Sequence, residues 1–291
     1  MRHYVSFQTE ISINFPPVSS YPMKSTTRQS LRAGAQKLQT AGVKSAWLDA
    51  ALIVGFVLKK PKEYLFAHTE ASATPRQRQK IQNLIFHRAR GCPIAYLTNQ
   101  KEFYGLNFFV DKNVLIPRPK TELLVEKALA IVAENFSGRT VNIADIGTGS
   151  GCIAVILANQ APNTRLFAVD VSARALSVAK HNAKNHGVSK KIKFYRGDLL
   201  TPIKHKRIDI LVANLPYLRP SQIKGDIKFE PRRALVGGRN GLCFIKKLFQ
   251  QITALKSPPR FVILEVDGDQ IKTVKRLARK LLPITISCEI Y

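Results

Sequence analysis

From residue 140 onward the chain alternates short apolar runs with longer amphipathic stretches, and this alternation limits its fold more than any other feature. The runs TVNIADIG, TRLFAVDV, KIKFYRGDL and IDILVAN indicate buried strands, whereas GCIAVILANQ and SARALSVAKHNAKNHG between them indicate helices. Strands connected by helices pair in parallel through right-handed crossovers, and the helices cover both faces of the sheet. The sequence therefore predicts a Rossmann-like α/β domain with a doubly wound sheet.

The part of the chain before this alternation has a different pattern. Residues 26–98 carry apolar residues at helical spacing between Gly and Pro breaks, which predicts a small all-helical domain. Residues 99–118 alternate aromatic and aliphatic side chains around a Tyr-Gly pair, which predicts a β-hairpin linker. The α/β domain is then expected to span residues 119–291, and residues 1–25, which lack periodicity, are expected to be a disordered extension.

The charge of the chain raises the question of a partner. Its 46 basic and 19 acidic residues give a formal net charge of +27. Such a surface can attract RNA, the ribosome or an acidic protein through weak, nonspecific contact. A lysine-rich solvated surface without a specific partner explains the same number, and both interpretations stay open at this point.

Several function classes are disfavoured by composition. The longest apolar runs, such as AALIVGFVL, are shorter than the roughly 18 residues that cross a bilayer, so no membrane segment is predicted. The histidines form no HExxH pattern, and the four cysteines lie far apart without metal-ligand spacing. We therefore expect no metal and a cytoplasmic protein with reduced thiols.

A glycine-rich loop follows the first strand of the α/β region. Gly147, Gly149 and Gly151 stand between a strand and a helix, where they allow a tight turn and a close approach of the backbone to a ligand. This pattern suits a dinucleotide, a methyl-donor nucleoside or a structural turn alone. Asp170 ends the next strand, at the position from which a carboxylate can accept hydrogen bonds from both ribose hydroxyls.

The next two strands also end in candidate ligand-binding residues. Asp198 and Leu199 follow the third strand and can bracket an adenine, although an aspartate after glycine is also common in turns. The fourth strand ends in the sequence NLPY, residues 214–217. The carboxyl ends of parallel strands meet at one edge of a sheet, so we expect all these residues to surround one crevice.

The motifs DIGTGSG, AVD, GD and NLPY, in this order, resemble class I S-adenosylmethionine-dependent methyltransferases that act on a planar amino or amide nitrogen. Two longer segments, residues 93–126 (PIAYLTNQKEFYGLNFFVDKNVLIPRPKTELLVE) and 229–242 (FEPRRALVGGRNGL), are similar to the HemK/PrmC family. That family methylates the glutamine amide of the Gly-Gly-Gln motif in class 1 peptide chain release factors. The resemblance, which extends from about Leu31 to Tyr291, implies S-adenosylmethionine as cofactor, S-adenosylhomocysteine as product and a release factor as partner.

The resemblance also implies roles for single residues. A primary amide nitrogen is a poor nucleophile, so a site must align it and accept hydrogen bonds from its N–H groups. Asn214 and the Leu215 carbonyl are the expected acceptors, Pro216 keeps the segment extended, and Tyr217 packs on the flat amide. Asn214 and Tyr217 are thus the expected catalytic residues. The residues expected to bind the donor are Gly147, Thr148, Gly149, Ser150, Gly151, Asp170, Asp198, Leu199 and Asn214.

The segment IPRPKTE permits two interpretations. By resemblance it lines the glutamine pocket, which makes Arg118, Pro119 and Phe103 further candidates for substrate binding. Alternatively the prolines only end the hairpin, and Thr121 caps the following helix. By the same resemblance the segment FEPRRAL is expected to cover the substrate crevice.

Two departures from the family pattern keep alternatives open. The family usually has Asn-Pro-Pro-Tyr, whereas Leu215 stands here at the first proline, and NLPY is typical of rRNA adenine methyltransferases. An rRNA adenine N6-methyltransferase is therefore the alternative enzyme, although such enzymes usually carry their extra domain after the catalytic core. A basic ribosome-binding protein with a vestigial fold is the non-enzymatic alternative.

Family members also usually continue past ISCEIY into a further strand, so we expect an exposed sheet edge here.

Overall fold

The computed structural model describes residues 26–68 and 70–291. The extension predicted for residues 1–25 lies outside this part. Five helices come first, then a hairpin, then a six-stranded sheet with helices on both faces. No helix of the described ranges combines the length and the apolar content that a bilayer crossing demands.

The first region is helical, as predicted. Its helices are α1 (Thr27–Thr40), α2 (Ala46–Leu58), α3 (Lys62–Ala67), α4 (Pro75–Ala89) and α5 (Ile94–Thr98). Capping boxes start α1 and α4: Thr26 and Thr74 accept from the backbone N–H of Gln29 and Gln77, whose side chains accept in return from the threonine backbone. A separate apolar core holds these helices together, formed around Leu31, Leu38, Ile53, Val54 and Ile85.

The predicted hairpin is confirmed. Strand β1 (Gln100–Phe103) pairs antiparallel with β2 (Leu106–Phe109). Tyr104 and Gly105 connect them with φ values of 52° and 73°, as a two-residue hairpin turn requires. Because the second position is glycine, only Tyr104 bears the cost of the left-handed conformation.

The predicted α/β fold is also confirmed. The strands are β3 (Val141–Ile146), β4 (Thr164–Asp170), β5 (Ile192–Arg196), β6 (Ile210–Ala213), β7 (Phe261–Leu264) and β8 (Ser287–Ile290). All pair in parallel, in the order β5-β4-β3-β6-β7-β8. The order reverses between β3 and β6, and the carboxyl ends of strands at such a reversal form a crevice. Strands β5 and β8 are the edges of the described sheet.

Two apolar layers enclose the sheet. The helices are α6 (Glu122–Asn135), α7 (Cys152–Gln160), α8 (Ala173–Asn185), α9 (Arg232–Leu235), α10 (Cys243–Thr253) and α11 (Ile271–Leu281). Ile143 of β3 belongs to the layer that includes α6 and α7, whereas Ile146 belongs to the layer that includes α10 and α11. Because both faces of the sheet are buried, the strands have nearly continuous apolar sequences. The packing on both faces also holds the carboxyl ends of the strands in place.

Polar contacts fix the hairpin to the sheet region. The buried side chain of Asn182 in α8 accepts a hydrogen bond from the Phe109 amide at 2.8 Å and donates to the Phe109 carbonyl at 2.9 Å. Its Nδ2 also donates to the Ser150 carbonyl at 2.8 Å. One amide side chain thus connects β2 with the glycine-rich loop.

The helical region is connected to the sheet region through Arg88 of α4. Its Nε donates to Asp49 Oδ2 at 2.6 Å within the helical region. Its Nη1 donates to Asp226 Oδ2 at 3.0 Å, in the loop that follows β6. The Arg88 and Asp49 side chains are 11% and 5% exposed, so their pair is shielded from water, whereas the Asp226 side chain is 54% exposed.

Candidate active site

A cleft opens at the reversal of the strand order, where the sequence predicts the ligand crevice. Counted out to its open mouth, the cleft holds about 950 Å³. Its walls come from the carboxyl ends of β3 to β6, from residues 113–115 and 117, and from Arg233 and Ala234 of α9. The predicted site residues among those that line it are Gly147, Thr148, Gly149, Ser150, Asp170, Asp198, Leu199, Asn214, Leu215 and Pro216.

The glycines of the loop after β3 serve different purposes. Gly151 has φ +79°, and a Cβ there would lie 2.9 Å from the Ala179 Cβ, so this glycine lets α7 start close to α8. Gly149 has φ +54° and lines the cleft, and among the described residues only the Gly147 carbonyl oxygen, at 3.8 Å, comes within 4 Å of an added Cβ. The space at Gly149 is therefore left open for a ligand.

Asp170, at the end of β4, shapes the loop as well as the cleft. Its Oδ2 accepts from the Gly149 amide at 3.0 Å, and its Oδ1 accepts from the Ser172 amide at 2.8 Å. Burial raises the pKa of this carboxyl group, while the backbone N–H groups oppose that effect. A carboxylate has about four acceptor sites, so two remain for ribose hydroxyls.

Asp145, which was not predicted as a site residue, lies beneath the glycine loop. It is fully buried, and the Thr148 hydroxyl donates to its Oδ2 at 2.6 Å. Its Oδ1 has no hydrogen-bond partner within the described ranges. Burial raises the pKa of Asp145 to about 7. The signal for it was an acidic residue directly before the loop, in ADIGTG.

Asp198 and Leu199 lie together at the end of β5. Asp198 forms an ion pair with Lys247 of α10, and its side chain is 43% exposed. Leu199 is buried in the cleft wall with φ +50°, a left-handed conformation that is unusual for a residue with a Cβ. Such backbone strain persists only where the surroundings impose it.

The NLPY segment presents two unused acceptors. Asn214 Nδ2 donates to Thr121 Oγ1 at 3.0 Å and to Glu265 Oε2 at 3.1 Å. Its Oδ1 accepts no hydrogen bond from any residue that the structure describes. The same is true of the Leu215 carbonyl. Leu215 itself packs over the loop, since a Cβ on Gly147 would lie 3.1 Å from its Cδ2.

Tyr217 is held at both ends. Its hydroxyl donates to Glu265 Oε1 at 3.0 Å, and its carbonyl accepts from Gln270 Nε2 at 2.9 Å. Burial, followed by the negative charge of Glu265, raises the pKa of Tyr217, so the phenol keeps its proton.

A smaller pocket adjoins the cleft and shares the Asn214 and Leu215 wall with it. Tyr217, Arg118 and Ile227 contribute to its lining. Two spaces that meet at a polar amide are suited to a donor on one side and an acceptor group on the other.

The three further candidates for substrate binding are not brought together. Arg118 lines the smaller pocket and forms an ion pair with Glu230, whose second oxygen accepts from the Ile116 amide at 3.0 Å. This pairing joins the two family-like segments. Pro119 begins a 3₁₀ turn and lines neither space. Phe103 is buried in the core against Phe108, because this face of the hairpin packs into the apolar layer of the sheet region.

Three site residues were not predicted from the sequence: Thr121, which lines the cleft, and Glu265 and Gln270, which lie behind its wall. The expected capping role of Thr121 is wrong, since its side chain caps no helix and its hydroxyl donates to Glu265 Oε2 at 2.7 Å. Glu265 directly follows β7, and an acidic residue after an apolar strand, in ILEVD, was the sequence signal that could have found it.

The residues present fit a methyl-donor nucleoside. The open space at Gly149 leaves room for the ligand, and the carboxylates at the ends of β4 and β5 offer acceptors for ribose and adenine. Asn214 lies at the end of the cleft where the smaller pocket begins.

Fold and cleft together define a class I S-adenosylmethionine-dependent methyltransferase. Residues 121–230 match the family model "Methyltransferase small domain", and residues 29–98 match "PrmC N-terminal domain". A relative named release factor glutamine methyltransferase is 37% identical over 87% of this chain, so the chain belongs to the family of release factor glutamine methyltransferases.

Relatives of that name cover most of the chain. The one from Moorella thermoacetica is 37% identical over 87% of this chain and 90% of its own length. The one from Bacillus cereus is 35% identical over 80% of this chain and 83% of its own length. Among solved structures, the catalytic domain of hMettl16 in complex with a MAT2A 3′UTR hairpin superposes with a TM-score of 0.51 at 18% identity, covering 68% of this chain and 73% of that one. This structural likeness concerns the fold alone.

Proposed function

We propose that this chain transfers a methyl group from S-adenosylmethionine to the side-chain amide nitrogen of the glutamine in the Gly-Gly-Gln motif of class 1 peptide chain release factors. The products are N5-methylglutamine and S-adenosylhomocysteine. The observation that carries the proposal is the pair of unused acceptors, Asn214 Oδ1 and the Leu215 carbonyl, on the wall between the cleft and the smaller pocket. Membership of the family supplies the identity of the amide.

The two acceptors match the two N–H groups of a primary amide. Accepting both hydrogen bonds turns the nitrogen toward the cleft and increases its electron density, which offsets its delocalisation into the carbonyl. Tyr217 offers its ring to the flat amide, and its raised pKa means that it is not a phenolate base.

On the donor side, the glycine loop is assigned to the amino-acid portion, Asp170 to the ribose, and Asp198 with Leu199 to the adenine. The donor supplies its methyl group on a positively charged sulfonium. Because that charge is lost on transfer, alignment and fixed dipoles of the chain are expected to provide most of the rate.

In this proposal each region of the chain has its own role. Residues 26–98 recognise the release factor, residues 99–118 are the linker, and residues 119–291 carry out the transfer. The charge of +27 adds weak nonspecific contact with RNA or the ribosome. We also propose a cytoplasmic site of action, because release factors work on ribosomes there. The alternative of an rRNA adenine methyltransferase is not favoured, since residues 29–98 match the PrmC N-terminal model.

The test is methyl transfer from labelled S-adenosylmethionine to a purified class 1 release factor. The same factor with its Gly-Gly-Gln glutamine changed to asparagine serves as the matched control, and ribosomal RNA is offered in parallel. We expect label on the unmodified factor alone. Label on the asparagine variant or on RNA contradicts the proposal.

A further inference from the structure

Glu265 is a buried carboxylate that lies directly behind the residues that face the substrate. It is 2% exposed and lines neither the cleft nor the smaller pocket. Its Oε2 accepts from Thr121 Oγ1 at 2.7 Å and from Asn214 Nδ2 at 3.1 Å, and its Oε1 accepts from the Tyr217 hydroxyl at 3.0 Å. Three neutral donors thus satisfy it.

No Lys, Arg or His of the described residues forms an ion pair with Glu265. Burying a carboxylate without a cation costs free energy unless its hydrogen bonds are all made. A residue that only filled space at the end of β7 would be apolar. The acidic side chain therefore needs an explanation in terms of the groups that it binds.

The amide of Asn214 has two nearly isosteric ends, and its neighbours decide which end faces the pocket. A carboxylate accepts hydrogen bonds and donates none, so Glu265 attracts Nδ2. The Thr121 hydroxyl donates its single hydrogen to Glu265, so it can only accept a hydrogen bond from Asn214. If the Asn214 amide were flipped, its Oδ1 would face two acceptors, Glu265 Oε2 and Thr121 Oγ1, and would repel both. The observed contacts therefore keep Oδ1 pointing toward the pocket.

Resting on the proposed function, we infer that Glu265 is a positioning residue: it fixes the Asn214 amide with its oxygen toward the substrate and holds the Tyr217 ring through its hydroxyl. The carboxylate acts through these two side chains and does not touch the substrate. The glutamine amide then meets an acceptor whose orientation is set before binding, which is the condition for effective alignment.

Three variants test the inference: Glu265→Ala, Glu265→Gln and Asp209→Asn. Glu265→Ala removes the acceptor, whereas Glu265→Gln keeps one oxygen for Asn214 and Thr121 and can donate its amide to the Tyr217 oxygen. Asp209 is the matched control, a buried carboxylate at the opposite end of the sheet that accepts from the Asn142 amide at 2.9 Å.

We expect Glu265→Ala to lower kcat about 100-fold, as a misplacement of about 1 Å does, while KM for the release factor and donor affinity change less than about threefold. Glu265→Gln should recover most of that loss, and Asp209→Asn should lower thermal stability without lowering kcat. In an Asn214→Ala background, Glu265→Ala should lower kcat by clearly less than about 100-fold, because only its contact with Tyr217 is then left to lose. A wild-type kcat for Glu265→Ala, or a kcat loss of the same size in Asp209→Asn, overturns the inference.

A readout without turnover separates this inference from the proposed function. The side-chain NH₂ signals of Asn214, assigned by their loss in Asn214→Ala, report its orientation by NMR. In the unsubstituted chain they should be a resolved, hydrogen-bonded pair, and in Glu265→Ala they should move toward solvent-like positions. Unchanged signals overturn the inference, even if the chain methylates the release factor. If no release factor is methylated, the proposed function fails while this measurement still decides the role of Glu265.

Discussion

At the scale of single residues, the proposed chemistry depends on hydrogen-bond acceptors that the protein itself leaves unused. Asn214 has both hydrogens of its amide occupied and its oxygen free within the described structure. Asp145 likewise keeps one unpaired oxygen, below the glycine loop. These two groups can be tested separately, because one lies at the acceptor end of the cleft and the other beneath the donor loop.

Asn214→Ala removes the free acceptor oxygen. We expect kcat to fall by at least about 100-fold, since losing one preorganised polar contact to the reacting group costs that much. Donor affinity, measured by calorimetry, should change little because the glycine loop and Asp170 are intact. Methylation near the normal rate would contradict the role given to Asn214.

Asp145→Asn tests how the buried carboxyl group of Asp145 makes the free energy of unfolding depend on pH. An unfolded aspartate ionises near pH 4, whereas burial raises the pKa of Asp145 in the folded chain to about 7. Between these values the folded chain holds a proton that the unfolded chain has released, so this group's contribution to stability is present at about pH 4 and is lost as pH rises toward 7.

The free energy of unfolding in urea, measured at several pH values, should therefore fall more steeply with pH for the unsubstituted chain than for Asp145→Asn. Parallel profiles for the two proteins would mean that Asp145 titrates normally.

At the scale of elements, the site is a set of strand ends supported by a loop. The cleft residues were predictable because each belongs to a local motif at the end of an apolar run, and parallel strands bring those ends to one edge. Thr121, Glu265 and Gln270 were not predictable in this way. Glu265 lies 51 positions from Asn214 and 144 from Thr121 in the sequence, so only the folded sheet brings them together.

Phe103 is a residue that was predicted for the site but lies in the core. An alternating hairpin sequence predicts two faces, but it does not say which face meets the core. In the structure the face with Phe103 and Phe108 is buried against the sheet region. The turn at Tyr104 and Gly105, by contrast, was visible in the sequence because glycine relieves the left-handed conformation there.

The glycine loop yields a paired prediction. Gly151→Ala places a Cβ 2.9 Å from Ala179, so it should lower the free energy of unfolding by about 2 kcal/mol or more, through both the clash and the positive φ. Gly149→Ala meets no such clash and should cost about 1 kcal/mol from its φ of +54°.

Affinity for the methyl donor should fall more in Gly149→Ala than in Gly151→Ala, because Gly149 lines the cleft and Gly151 does not. Urea unfolding and calorimetric titration of both variants provide the measurements. Equal loss of donor affinity in the two variants would count against a ligand at Gly149.

At the scale of the whole molecule, ion pairs connect the helices to the segments around the pocket. Arg88 joins α4 to Asp226, and four residues later Glu230 pairs with Arg118. A Cβ on Gly91, just after α4, would lie 3.3 Å from the Phe229 ring in the same loop. The helical region therefore supports the loop that carries part of the smaller pocket.

The two carboxylates on Arg88 should differ in their effect on stability. Asp49→Asn weakens a buried pair and should cost about 3 kcal/mol, because it leaves the Arg88 charge poorly compensated. Asp226 is 54% exposed, and Asp226→Asn should cost less than about 1 kcal/mol. Urea unfolding of the two variants measures the difference, and equal costs would mean that water does not screen the Asp226 contact.

The Arg88 connection has a consequence for engineering and for evolution. A chimera that takes its first helices from another family member would carry a new partner for the loop at residues 225–230, and that loop holds Glu230 against Arg118 and Ile116. Exchanging the helices alone would thus disturb the pocket from a distance. Modular swapping in this family should succeed only when the helices and this loop are inherited from the same parent.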